Sequence, residues 1–343
     1  MNARERFLAV LAGEMPDRVP TFEILIHPRV IEALCPAADY ARFVEEMDIE
    51  GAITGTPSSL YRKEVVDAGR RLLRDEWGVL RQEGPEIVPM PMGGPIQSLA
   101  DLDSYRPPDP DAPWRLVQLE ELVRRFRGKR AIGVHLHDSF SYPTYLMGMD
   151  KLLMALLLDP PLVEALVTLA VQHTMRLLER AAEIGADFVL FGDDYAATTG
   201  PLMSPRHFER YFLPGLRQVV QTAKALGLRV IKHTCGQIGP LLDMIVETGI
   251  DGLHPLDAAA GMDIAAVKAR YAGRLTVCGG IDCGEVLSDW PPERVEQEVR
   301  RRLEELMPGG RYILCSSNSI HSRVRPENYA AMLRALRVYG VYA

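Results

Sequence analysis

Short apolar runs, many of them rich in Val, Ile and Leu, alternate along the chain with longer stretches in which apolar residues recur every three or four positions. Eight such runs lie at 19–26, 51–55, 131–137, 188–194, 229–235, 252–257, 275–282 and 312–318. They are mostly continuous, as strands buried on both faces of a parallel sheet are. Helical patterns fall between them at 114–128, 160–185, 204–226, 237–248, 263–271, 291–307 and 326–339. Ser204-Pro205 and Pro326-Glu327 give helix start signals, and Gly185 closes the longest pattern.

Eight strands in βα order predict the α/β class and one (β/α)8 TIM barrel spanning 1–343 as a single domain. A doubly wound open sheet is the alternative. No GxGxxG turn follows an early strand, which counts against it. Residues 56–113 break the βα rhythm with RRLLRDEWGVLRQEG, VPMPMGGP and YRPPDPDAPW. They predict a β-hairpin insertion laid over the barrel mouth, where long βα insertions shape a substrate site. The start, MNARERFLAVLAGEMPDRVP, has charges scattered among its apolar positions and predicts a surface helix, not a signal peptide. With no apolar window near ~18 residues, the expected location is the cytoplasm, away from membranes.

The 343 residues are 47% hydrophobic and 25% charged, an ordinary globular composition. A net charge of −7 leaves no basic footprint for nucleic acid and no polybasic segment for anionic lipid. Five cysteines in so long a chain read as thiols or metal ligands, not as a disulfide framework.

Reactive residues of a barrel come from the C-terminal ends of its strands. Those ends hold Glu23 and His27, then His135, His137 and Asp138, then Asp193 and Asp194, then His233 and Cys235. His254 and Asp257, Asp282 and Cys283, and Cys315 and Asn318 complete the set. His233 and Cys235 are two apart on a strand and share a face. With Cys315 from another strand end they make a three-ligand zinc set with an open fourth position. The plainer reading is that cysteine packs as a small hydrophobe. Cys278 fits the core, Cys35 a structural or surface thiol, and Cys283 a competing ligand of lower rank. Asp193 and Asp194 face opposite ways, so one enters the mouth as base, substrate anchor or partner of His233, and the other holds the loop. Glu23, Asp138, Asp282 and Asn318 are candidate substrate contacts. His173 and His207 read as packing or surface residues.

RERFLAVLAGEMPDRVP, DFVLFGDDYAATTGPLMSP, VIKHTCGQIGPLLDMIVETGIDGLHPLD, VCGGID and PGGRYILCSSNSI resemble the uroporphyrinogen decarboxylase superfamily, in the expected order from about residue 3 to 335. The resemblance implies a (β/α)8 barrel with N-terminal helical additions. The decarboxylase branch binds an eight-carboxylate tetrapyrrole without metal, through an arginine-rich motif after the first strand. Here that stretch reads TFEILIHPRVIEAL, with only Arg29, and acidic side chains need cationic partners. The sequence is more similar to the cobalamin-dependent methyltransferase branch, whose His-x-Cys…Cys zinc motif maps onto His233, Cys235 and Cys315. That branch implies Zn2+ and a methyl group passed between a small thiol or methoxy compound and a corrinoid such as methylcobalamin. A separate carrier protein would hold the corrinoid, since the chain has no DxHxxG run. Asp193 or Asp194 would then be the catalytic carboxylate, and a homodimer is compatible with the chain. The alternatives are a metal-free lyase on an acidic substrate, and a metal- or corrinoid-binding accessory protein.

Overall fold

The computed structural model describes residues 1–55 and 63–342. Seven parallel strands form one sheet in chain order. They are β1 (Gly51–Gly55), β2 (Ala131–Leu136), β3 (Phe188–Gly192), β4 (Arg229–His233), β5 (Gly252–His254), β6 (Thr276–Ile281) and β7 (Tyr312–Ser316). The eighth position, between β7 and β1, is taken by residues 19–26. This segment pairs at single points, Thr21 with Leu314, Phe22 with Gly51 and Ile26 with Ile320. The expected continuous strand is therefore broken. Pro20 has no N–H to give, but its carbonyl accepts from the Leu314 N–H at 3.1 Å. The sheet curls shut on this segment as a (β/α)8 barrel.

Closure sorts each strand's residues by parity. Ile53, Ala131, Phe188, Leu190, Ile231, Cys278, Ile313 and Cys315 share one cluster inside the barrel. Their neighbours Ala52, Ile132, Val189, Val230, Leu253, Val277 and Leu314 belong to a second cluster with the surrounding helices. Both faces of each strand are thus apolar, which is why the runs read as continuous.

The N-terminal helix Ala3–Ala12 is not the surface helix its scattered charges suggest. Phe7, Val10 and Leu11 enter the inner cluster and stop the N-terminal end of the barrel. Phe7 lies 4.9 Å from Phe188 and 5.8 Å from Phe22, ring centre to ring centre. Its charges have specific partners: Arg4 pairs with Asp187 at 2.7 Å, and buried Arg6 with Asp17 and Glu50. Gly51 is required opposite this plug, because a Cβ there would meet Phe7 and Phe22 at 2.8 Å.

Two helices between β2 and β3, Ser141–Met147 and Met149–Leu158, precede the long helix Pro160–Ile184 and escape the periodicity. The pattern at 204–226 is divided by a π-helical turn over Phe208–Phe212. Of the insertion, residues 56–62 lie outside the described residues. The remainder builds a four-stranded antiparallel sheet from Lys63–Asp67, Leu72–Asp75, Leu80–Gln82 and Met90–Gly93. Buried Arg81–Asp75 and Arg115–Glu76 pairs hold it, and Trp77 stacks on Tyr142 at 4.2 Å. His27 Nε2 meets the Pro85 carbonyl at 3.1 Å, and Ser322 donates to Glu86 at 2.6 Å. Both contacts come from segments that follow barrel strands. Among the described residues no helix is long and apolar enough to cross a membrane.

Phe7→Ala should cost about 3–5 kcal/mol through the cavity it opens inside the barrel. Denaturant unfolding reads this directly. A loss below about 1 kcal/mol would mean the helix only rests on the barrel.

Candidate metal centre

Inward parity continues upward from the apolar layers into polar ones. His233 ends β4, and His254 lies beside it in register on β5. Just beyond β3 and β4 the chain leaves the sheet at Asp194 and Cys235. The turn after Cys235 needs glycine: Gly236 has φ +86°, and a Cβ would meet the Ala196 carbonyl oxygen at 2.5 Å. The Gln237 N–H bonds the Ala197 carbonyl at 2.9 Å and fixes the loop against the Ala196–Pro201 turn.

Asp194, His233 and Cys235 converge, each with one ligand atom within 4.8 Å of the others. His233 Nε2 lies 3.4 Å from Cys235 Sγ and 3.4 Å from Asp194 Oδ1. Asp194 Oδ1 also accepts the Cys235 N–H at 2.8 Å, which ties the two loops together. Burial alone would depress the His233 pKa, but the Cys235 sulfur and the Asp194 carboxylate outweigh it and raise it to about 10. The His233 Nε2 thus faces a sulfur and a carboxylate oxygen, surroundings that favour positive charge. Desolvation works against Asp194, yet the bond from His233 keeps its carboxyl below the usual range. An N, S, O set suits Zn2+, whose structural and catalytic sites use these donors.

Several expected site residues lie elsewhere. Cys315 does not join the centre: it is 0% exposed and shares the inner apolar cluster with Cys278 and Phe22. Burial pushes its thiol well above the ordinary value. It is still within the strand, and the chain has to run on to Asn318 before a side chain reaches Cys235. The Asn318 amide donates to Cys235 Sγ at 3.1 Å. Of the aspartate pair, Asp194 is the one at the centre. Asp193 is fully buried and accepts the N–H groups of Asp138, Phe140 and Ser141 at 3.2, 2.7 and 3.0 Å. Asp138 is likewise buried, paired with Lys232 at 2.7 Å and with the Tyr195 hydroxyl at 2.5 Å. It locks strand ends together and presents no surface to a substrate. Asp282 caps its own loop by accepting from the Gly284 and Glu285 N–H groups at 2.7 and 3.2 Å. Glu23 is 2% exposed and accepts from Ser316, N–H at 3.1 Å and hydroxyl at 2.5 Å.

Two of the strand-end residues named from the sequence, His137 and His254, gain partners that the sequence did not assign. His137 Nδ1 lies 2.8 Å from Asp193 Oδ1, and its ring meets Tyr142 and Tyr145 edge-on at 5.2 and 5.6 Å. His254 Nδ1 lies 2.7 Å from His233 Nδ1. The signal was the same two-residue spacing that selects Cys235: His135 and His137 repeat it, and His254 is the register partner of His233.

The fold and the cluster define a (β/α)8 barrel with a nitrogen, sulfur and carboxylate donor set at its open end. The chain belongs to the uroporphyrinogen decarboxylase (URO-D) family, whose model matches residues 81–339. It is 22% identical over 357 residues to the uroporphyrinogen decarboxylase of Idiomarina loihiensis, covering 98% of this chain and 96% of that one. To that of Pseudoalteromonas atlantica it is 25% identical over 269 residues, covering 75% and 72%. A solved methyltransferase from Methanosarcina mazei has the same fold, with a TM-score of 0.72 at 16% identity over 99% of both chains.

Burial raises the Glu23 pKa from 4.5 to about 8, against the pull of Ser316. Between these values the folded chain binds a proton that the unfolded chain lacks, so stability falls as pH rises through the window. Glu23→Gln should leave Tm nearly unchanged at pH 4.5. At pH 8 it should raise Tm above the parent's, by roughly 2–4 °C for each kcal/mol relieved. Equal shifts at both pH values would show that the carboxyl is not titrating there.

Proposed function

We propose that this chain is a zinc-dependent methyltransferase that moves a methyl group between a small thiol or methoxy compound and a corrinoid carried by a partner protein. The observation that carries the reading is the convergence of Asp194, His233 and Cys235 at the barrel mouth. Zinc held there would supply Lewis-acid activation of the substrate heteroatom. The corrinoid and its carrier rest on the likeness of the His-x-Cys region to the methyltransferase branch, and the Methanosarcina mazei methyltransferase shares the barrel.

The donor set departs from the branch's motif, because a carboxylate stands where a second thiolate was expected. The charge balance survives: one thiolate and one carboxylate neutralise a divalent ion, and a neutral site leaves a bound thiolate more nucleophilic than a cationic one. The Asn318 amide, donating to Cys235 Sγ, tempers the charge on that sulfur and holds its position. His137 is the group placed to move a proton. Asp193, kept ionised by its backbone donors and His137, takes the Nδ1–H and leaves Nε2 to accept a proton from a substrate thiol. Tyr142, stacked on Trp77 of the insertion, fixes the plane of that ring.

Decarboxylation of a polycarboxylate is the competing reading, favoured by the names of the relatives. Two arginines at this end are already engaged. Arg29 donates to the Ser322 carbonyl, and Arg81 is buried against Asp75.

Protein purified without a metal-binding tag and supplemented with zinc should hold about one equivalent. Cys235→Ser and Asp194→Asn should lose most of it, and Cys315→Ser should keep it. Cobalt absorption should report methyl transfer from methylcobalamin to a member of a thiol panel, or from a methoxy compound to cob(I)alamin, and chelation should abolish it. Less than about a tenth of an equivalent of zinc, or decarboxylation of a tetrapyrrole by the same preparation, would overturn the proposal.

A further inference from the structure

We propose that His254 is a positioning residue that commits the Nδ1 of His233 to donating a hydrogen bond, so that Nε2 is the nitrogen left for a metal ion beside Cys235 and Asp194. The inference rests on reading those three residues as a metal centre.

The argument is a chain of hydrogen bonds with a fixed direction. It begins at the Ser316 carbonyl, which can only accept. His254 Nε2 lies 2.9 Å from that oxygen and so carries the proton. The opposite tautomer would aim a nitrogen lone pair at a carbonyl lone pair across the same distance. A neutral His254 with its proton on Nε2 has a bare Nδ1. That nitrogen lies 2.7 Å from His233 Nδ1, which must therefore donate to it. With its proton committed to Nδ1, His233 has only Nε2 left for a metal, and Nε2 is the nitrogen 3.4 Å from both Cys235 Sγ and Asp194 Oδ1.

A doubly protonated His254 would reverse the second bond and spoil the ligand. The surroundings oppose that form. His254 is 1% exposed, and among the described residues the hydrogen-bond partners of its ring are the Ser316 carbonyl and His233 alone. A buried cation without a carboxylate in contact is costly. Phe22 backs the ring at 5.8 Å, and the rings of His254 and His233 lie 4.9 Å apart. The anchor is itself fixed, because Glu23 takes both the N–H and the hydroxyl of Ser316. Glu23 therefore acts on the centre at two removes, through Ser316 and His254.

Two measurements test this. Long-range 1H–15N correlation on protein labelled at histidine nitrogen, without metal, should show His254 neutral with its proton on Nε2. Zinc affinity, read by chelator competition, should fall about 10–100-fold in His254→Leu. His254→Asn should recover most of it, because the Asn carbonyl can take the place of Nδ1 as acceptor. A His254 protonated on Nδ1 or on both nitrogens overturns the proposal in the parent protein, whether or not the variants fold. So does a folded Leu variant that binds zinc within about threefold of the parent. Parent protein that binds no zinc overturns the metal reading, and the correlation spectrum still decides the tautomer.

Discussion

The structure depends on one constraint, the alternation of side chains across a sheet that has been closed on itself. In a closed barrel each strand residue points either to the axis or to the helices, and neither place is wet below the mouth. The axis is filled from below by Phe7, Val10 and Leu11, then by Phe188, Leu190, Ile231 and Ile313. Only at the C-terminal edge does the inward column turn polar, with His233 and His254 side by side on β4 and β5. The same parity that buries Ile231 delivers His233 two residues later. The chemical site is the continuation of the core packing, not a separate feature added to it.

That constraint also explains how two adjacent aspartates serve opposite purposes. Asp193 turns away from the mouth, where it is fully buried and gathers three backbone N–H groups of the β2 loop. Asp194 turns toward Cys235 and His233. Lys232, one residue before His233, follows the same rule outward and meets Asp138 and the Asp193 carbonyl at 2.7 and 2.9 Å. A buried ion pair of this kind contributes little net stability. Its consequence is positional: it ties the ends of β2, β3 and β4 together, and these are the strands whose ends carry His137, Asp194 and His233.

The barrel was legible because eight continuous apolar runs have few other closed arrangements, and the His233–Cys235 pair because two-residue spacing needs no tertiary information. The errors fall where tertiary information decides. The N-terminal helix looks amphipathic only weakly, and its charges read as surface until Asp187, Asp17 and Glu50 are seen beside them. Cys315 and Asn318 are three residues apart at the end of β7, and no pattern says which of them clears the strand. Glu23 and Asp138 stand at strand ends as site residues do, but their parity is outward. His254 was visible as a strand-end residue, yet its value lies in a bond to His233 that only the β4–β5 register creates.

The centre's electrostatics follow from its uneven burial: His233 is buried, while Asp194 is half exposed. His233 is held between a sulfur and a carboxylate in a buried position, and that pair outweighs the cost of burying its charge. On the other side of the ring, His254 offers a neutral acceptor, with burial and the His233 charge both holding it well below the ordinary imidazole range. One face of His233 is thus provided with negative charge and the other with a lone pair. A proton satisfies this arrangement with one bond on each side. A divalent ion held there, as proposed, would face Cys235 and Asp194 together, on the side of the ring away from His254. The fold thus brings the three donor atoms within 4.8 Å of one another and holds the His233 ring from its other side through His254, so their convergence is set by the barrel and its register.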